Sequence, residues 1–198
     1  MSNKAIMDLY TDYLICNMGL ATATGLSNIL ENQISHDKIT RFINAVDSDP
    51  KLLWKGVKPL VRKLENTDDG YLIIDDTIEE KPYTDESEIV CHHYSHSKHK
   101  HVKGMNLLSA LIRYGDIALP VDYYIVHKSV EFQDKDGKTK FKSEVSKNEI
   151  ARDFIYNAKR NHIKFRYVLA DIWFGSNENM KHVNDMDKKF IFGCKSNR

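Results

Sequence analysis

The first third of the chain places its apolar residues at helical spacing. Over residues 3–18, Ile6, Leu9, Tyr10, Tyr13, Leu14 and Met18 fall on one face. Thr24–Glu31 is a shorter segment with Leu26, Ile29 and Leu30 apolar. Ser35 stands as an N-cap before "HDKITRFINAV". Ser48-Asp49-Pro50 opens a further helix, with Pro50 in the first turn and Leu52, Leu53, Val57, Leu60, Val61 and Leu64 on one side. After Thr67-Asp68-Asp69-Gly70 the period changes. Tyr71–Asp76, Met105–Arg113, Ile117–Val126, Arg166–Asp171 and Phe190–Cys194 are apolar runs of strand length, and Ile89–Tyr94 is a short extra one. Tyr114-Gly115-Asp116 joins two of the runs into an antiparallel hairpin, while Gln133–Lys138 is a polar turn. Lys147–His162 reads as a helix through Ile150, Phe154, Ile155 and Ala158, and Ser176 caps another that runs to Met186. The order predicts an α/β fold: a three-strand meander, then βα units in one mixed sheet, preceded by a small all-helical region. The boundary falls near 65–70, giving a helical region at 1–66 and a sheet region at 70–198.

Composition narrows the class. With 198 residues, 41% hydrophobic and 29% charged, the chain is neither disordered nor membrane-embedded. Asp8 and Asp12 interrupt any signal-peptide core, and no apolar run approaches a membrane span. Three widely spaced cysteines argue against a disulfide framework and for a reducing cytoplasm. The net charge is only +1, yet from Lys135 to Arg166 basic residues outnumber acidic ones ten to four. Such a patch can hold a phosphate backbone, although a solvated helix face with a charged hairpin has the same composition.

Two apolar strands run into carboxylates. "YLIIDDT" ends in Asp75-Asp76-Thr77, and "FRYVLADIWFGS" in Asp171 before Gly175-Ser176. Charges at the mouth of a buried strand need partners. If the two strands are neighbours, their acids converge, and hard oxygen ligands suit Mg²⁺ or Mn²⁺. Two such ions can drive phosphodiester chemistry. Taken singly, each Asp is better explained as a turn or helix cap; two matched strand ends shift the balance. "CHHYSHSKHKH" has the residue types of a zinc site, but its spacing separates no ligand pairs, and for His99 and His101 a solvated polar loop is expected.

The segments "YLIIDDT", "YSHSKHKHVKGMNLLSALIRYGDIALPVDYYIV", "FRYVLADIWFGS" and "KKFIFGCKSNR" resemble insertion-sequence DDE transposases of the D-D-T type, across most of residues 70–198. The resemblance implies a ribonuclease-H-like core whose first acid ends the first strand and whose second ends the fourth. The acid directly before Thr is the family's, so Asp76 and Asp171 are the expected catalytic and metal-binding residues, with Mg²⁺ as cofactor and Mn²⁺ as substitute. Strand alternation supports choosing one of two adjacent acids and turns Asp75 away from the site. The activity implied is hydrolysis of a phosphodiester at an element end, then attack of the freed 3′-hydroxyl on target DNA. His96, Lys98 and Lys103 are expected at DNA phosphate, and Lys159 and Arg160 on the backbone. "ATGLSNILENQISHDKITRFINAV" resembles a helix-turn-helix with His36, Lys38, Thr40 and Arg41 facing element ends, though a bundle that merely packs fits the pattern equally well. The expected partners are double-stranded DNA and a second copy on DNA, in a bacterial cytoplasm at the nucleoid, with no membrane. The family's third acid, a Glu among Tyr, Arg and Lys on a later helix, is not found after Asp171, since Glu178 comes too soon. The expectation is therefore a truncated core that is inactive alone, with an end-binding repressor as the alternative function.

Overall fold

A computed structural model describes residues 2–46, 49–65, 69–95 and 97–193. The chain divides into two compact units, Met1–Ser48 and Asp49–Arg198. The first holds α1 (Asn3–Cys16), α2 (Ala23–Ile29) and α3 (His36–Ala45). Ser2, Thr22 and Ser35 cap them by accepting backbone N–H bonds. Their apolar faces close on a small core of Ile6, Tyr13, Leu26, Ile34, Ile39 and Phe42.

The second unit opens with α4 (Pro50–Leu64), capped by Asp49. Grouped by sequence with the N-terminal helices, α4 instead packs Val61, Val57 and Trp54 into the core of the sheet unit. The sheet strands are β1 (Tyr71–Glu80), β2 (Cys91–Ser95), β3 (Lys100–Tyr114), β4 (Ile117–Ile125), β7 (Tyr167–Ala170) and β8 (Lys189–Phe192). β3 is the long organiser. One of its edges pairs antiparallel with β1 along its length, and the other pairs first with β2 and then with β4. β1 pairs parallel with β7, and β7 parallel with β8. This mixed α/β order, a meander continued by parallel βα units, is ribonuclease-H-like. α5 (Lys147–Arg160) and α6 (Asn177–Asp185) supply the crossovers.

Alternation decides what each strand residue meets. Leu72, Ile74, Leu108, Ala110 and Ile112 are fully buried with Ile150, Phe154 and Ile155 of α5. Burying side chains of this size contributes about 2 kcal/mol each. Tyr71 and Leu107, on the opposite face, stay partly exposed.

Two features depart from the sequence reading. β1 does not stop at Asp76 but continues to Glu80, because β3 begins at Lys100 and pairs with those polar residues (Asp76↔Leu108, Glu80↔Gly104). At Gly104 a side chain would strike the Glu79 carbonyl, so glycine permits this crossing. The polar turn at 133–138 is the tip of a separate two-stranded ribbon, β5 (Val130–Gln133) with β6 (Thr139–Lys142). None of its residues is buried.

Candidate active site

The parallel ladder between β1 and β7 ends at Ile74↔Ala170. The next residues are Asp75-Asp76 on one strand and Asp171 on the other. β1 remains tied to β3 beyond this point, whereas the chain after β7 turns away: Phe174 N–H donates to the Asp171 carbonyl at 3.2 Å, and Trp173 N–H to its carboxylate at 2.9 Å. Gly175 and Gly193 let this turn lie against the end of β8, where a side chain on Gly175 would meet the Gly193 carbonyl at 2.6 Å. The strands part at the acids, and a cavity of about 420 Å³ opens there, lined by Asp75, Asp76, Asp171, Glu80, Lys98 and Trp173 among others.

The acids differ in surroundings. Asp76 shares the covered face with Ile74 and is half-buried. Its Oδ2 accepts from Asn106 Nδ2 at 2.9 Å and from Lys147 Nζ at 2.5 Å. Asn106 is fully buried, and Lys147 is the first residue of α5. At Asp171 burial pushes the carboxyl up, the Trp173 N–H opposes this, and the charges of Asp75 and then Asp76 push it up further. Asp75 was expected to point away. It does alternate to the open face, but past the last β1–β7 pair both faces reach the cavity, and Asp75 lines it with the other two. Among the described residues, no three His, Cys, Asp or Glu side chains close into a metal-holding cluster. The donor chemistry nevertheless fits a hard cation: carboxylate oxygens gathered beside solvent, with like charges opposing ionisation of Asp171.

Behind Asp76 lies a second cavity of about 400 Å³, lined by His93, Lys128, Ser143, Ser146 and Lys147 as well as Asp76, Tyr94 and Trp173. His93 is buried with Nε2 3.3 Å from Cys91 Sγ. Burial first, then Lys128 and Lys147, hold its imidazole down to about 4, against the pull of Asp76. It is neutral at pH 7. Burial also pushes the Cys91 thiol up.

The other sequence candidates are scattered. Lys98 lines the acid cavity and pairs with Glu80 at 2.5 Å. Lys103 stands on β3 opposite His92. His96 lies outside the described residues. Lys159 donates to the Met186 carbonyl and Arg160 stacks over Tyr156, both at the far end of α5 from Lys147. At 1.5 Å per residue that is about 18 Å away. In the N-terminal unit His36, Lys38 and Arg41 are all exposed on α3, with the Arg41 Nε donating to the Asp37 carbonyl at 3.3 Å. Sequence reasoning passed over Asn106 as a partner of Asp76, and it read Lys147 only as one of a basic run. The usable signal was a lysine at the first position of a helix, where the dipole favours acids.

The sheet thus brings Asp75 and Asp76 of β1 together with Asp171, just past β7, around one cavity. The chain belongs to the DDE superfamily endonuclease family, whose sequence profile matches residues 3–198. No curated protein matches it. Among solved structures, it is similar to the Drosophila P element transposase strand transfer complex at 10% identity and TM-score 0.46, covering 95% of this chain and 36% of that one. It is similar to the piggyBac transposase synaptic complex with hairpin DNA at 12% identity and TM-score 0.48, covering 99% and 42%. The Mos1 transposase paired-end complex with the left transposon end follows at 9% identity and TM-score 0.31, covering 96% and 58%. The chain thus spans about a third to three fifths of the length of these chains. No helix among the described residues is long and apolar enough to cross a membrane.

Proposed function

We propose that the sheet unit is a transposase catalytic core acting on double-stranded DNA, with Asp76 and Asp171 as ligands of one divalent-cation site. The observation that supports this most is the point where β1 and β7 separate: the ladder ends, and both strands continue directly into aspartate lining one cavity. DDE superfamily endonucleases depend on divalent metal. Mg²⁺, or Mn²⁺ in its place, is the proposed ion here, and it would supply Lewis acidity and an activated water to a phosphodiester. Asn106 and Lys147 fix the Asp76 carboxylate, and the turn through Trp173 fixes Asp171. The exposed His36, Lys38 and Arg41 are proposed to meet element ends, Lys98 and Lys103 the phosphates near the acids, and Lys159 and Arg160 the backbone farther off. His96 belongs to the same proposed set.

Iron substitution tests metal and DNA together without requiring turnover. With a bound duplex, Fe²⁺, ascorbate and peroxide are expected to cut the polypeptide near residues 75–76 and 171 and the DNA at one locus. Asp76→Asn is expected to remove both sets of cuts. Cuts that are spread evenly, or that persist in Asp76→Asn, would contradict the reading.

A further inference from the structure

Asp76 separates two cavities of opposite character. On one side it shares space with Asp75 and Asp171, and on the other with Lys128, Lys147 and the buried His93. We propose that Lys147 is a resident cation of this site: it holds Asp76 before any ion is bound, and its ammonium then serves the phosphodiester oxygen that arrives from the basic side. This deepens the metal-site reading above and rests on it.

Three observations carry the proposal. The first is the contact itself, with Lys147 Nζ 2.5 Å from Asp76 Oδ2, the oxygen that Asn106 also holds. The two partners differ in freedom. Asn106 is fully buried, whereas the Lys147 side chain is 41% exposed against 18% for Asp76. Asn106 is therefore a fixed support, and Lys147 reaches in from solvent on a stem that can swing.

The second is where Lys147 stands. Ser146 and Glu149 form a full capping box, which pins the backbone of the first turn of α5. A cation at that position opposes the helix dipole. A local rule broken beside a functional group marks a side chain kept for its partner. The third is the company it keeps. The ammonium of Lys128, the N-terminus of α5 and a neutral His93 give this cavity donors and positive charge suited to a phosphate. Lys128 is itself braced, donating to the His92 carbonyl at 2.6 Å.

The same lysine therefore works in opposite directions on two ligands. It competes with a divalent ion for Asp76 and attracts a phosphodiester. A residue that merely supported the fold would not separate the two effects. The test uses the full chain with Lys147→Met and Lys147→Gln, titrated with Mn²⁺ by electron paramagnetic resonance and with a short duplex in EDTA by fluorescence anisotropy. Mn²⁺ affinity is expected to rise about tenfold on loss of the competing charge. Duplex affinity should fall, with the log–log salt slope shallower by about 0.9, one phosphate contact. Lys147→Arg is expected to stay near wild type in both. Unchanged or weaker Mn²⁺ binding in both neutral variants, or an unchanged duplex slope, would overturn the proposal. Asp171→Asn, which leaves Lys147 and Asp76 in place, separates this failure from failure of the metal reading. If Asp171→Asn binds Mn²⁺ as wild type does, the metal site itself is refuted; if it loses binding while the Lys147 variants change nothing, only the role of Lys147 falls.

Discussion

The two sides of Asp76 are built in different ways. The acid side follows from backbone topology: two parallel strands separate, and the residues at the separation are aspartates. The basic side is assembled from distant segments, with His93 on β2, Lys128 after β4 and Lys147 at the start of α5. Their electrostatics differ accordingly. Asp171 is pushed up by burial and by its neighbouring carboxylates, so the acid cavity is short of positive charge. His93 is pushed down by burial and the two lysines, so the basic cavity is short of negative charge. A divalent cation complements the first and a phosphate the second.

The largest expected effect concerns what the acid side still requires. Two strand-mouth acids hold one hard cation loosely, and a second ion needs a further anionic ligand. A site of Asp76 and Asp171 alone is expected to bind Mn²⁺ but leave a supercoiled plasmid uncut, while a third carboxylate ligand should speed nicking about a thousandfold or more. Robust cutting by the 198 residues that vanishes in Asp76→Ala would mean that an acid such as Asp75, Glu79 or Glu178 completes the site.

The next effect is on the basic side. The unfolded His93 takes a proton below about pH 6.5, but the folded one does not until about pH 4, so stability falls as pH drops through that window and the loss is complete below it. His93→Gln should remove up to about 1.4 kcal/mol per pH unit of that slope, measured by urea unfolding at stepped pH. An unchanged slope would show that His93 is solvated rather than enclosed.

Smaller still is the acid-side counterpart. Asp171 has a raised carboxyl, so its contribution to stability is present at low pH and lost as pH rises through the carboxylate range. Asp171→Asn keeps an oxygen for the Trp173 N–H and should raise the melting temperature at pH 7 by about 1–2 °C, modest because the residue is exposed. A fall in melting temperature would contradict the claim that the acids repel one another. The least effect is expected from Lys98→Ala, since the Lys98–Glu80 pair is well exposed and such pairs contribute about 0–1 kcal/mol.

Periodicity made much of this legible. Apolar runs located all six strands of the main sheet, and cap residues such as Ser35 and Ser176 placed helix starts. What escaped it had no apolar signature. The ribbon β5–β6 buries nothing, so no alternation marks it. The outer part of β1, from Thr77 to Glu80, looks like loop and is a strand only because β3 pairs with it. The placement of α4 with the sheet depends on which apolar surface its stripe meets, and no stripe states that. Asp76 and Asp171 were visible as strand-end acids. Their holders, Asn106 and Lys147, come from 30 and 71 residues away, and no local pattern links them to Asp76.

The central claim is that Asp76 and Asp171 share a divalent-cation site, with Asp75 lining the same cavity without ligating the ion. The most direct measurement is a Mn²⁺ titration of wild type, Asp75→Asn, Asp76→Asn and Asp171→Asn by electron paramagnetic resonance, with folding checked by circular dichroism. Weak saturable binding is predicted in wild type. Either Asp76→Asn or Asp171→Asn should abolish it, and Asp75→Asn should leave it within about threefold, the size of a neighbouring charge effect in solvent. Binding that survives both Asp76→Asn and Asp171→Asn, or that disappears only in Asp75→Asn, would contradict the account.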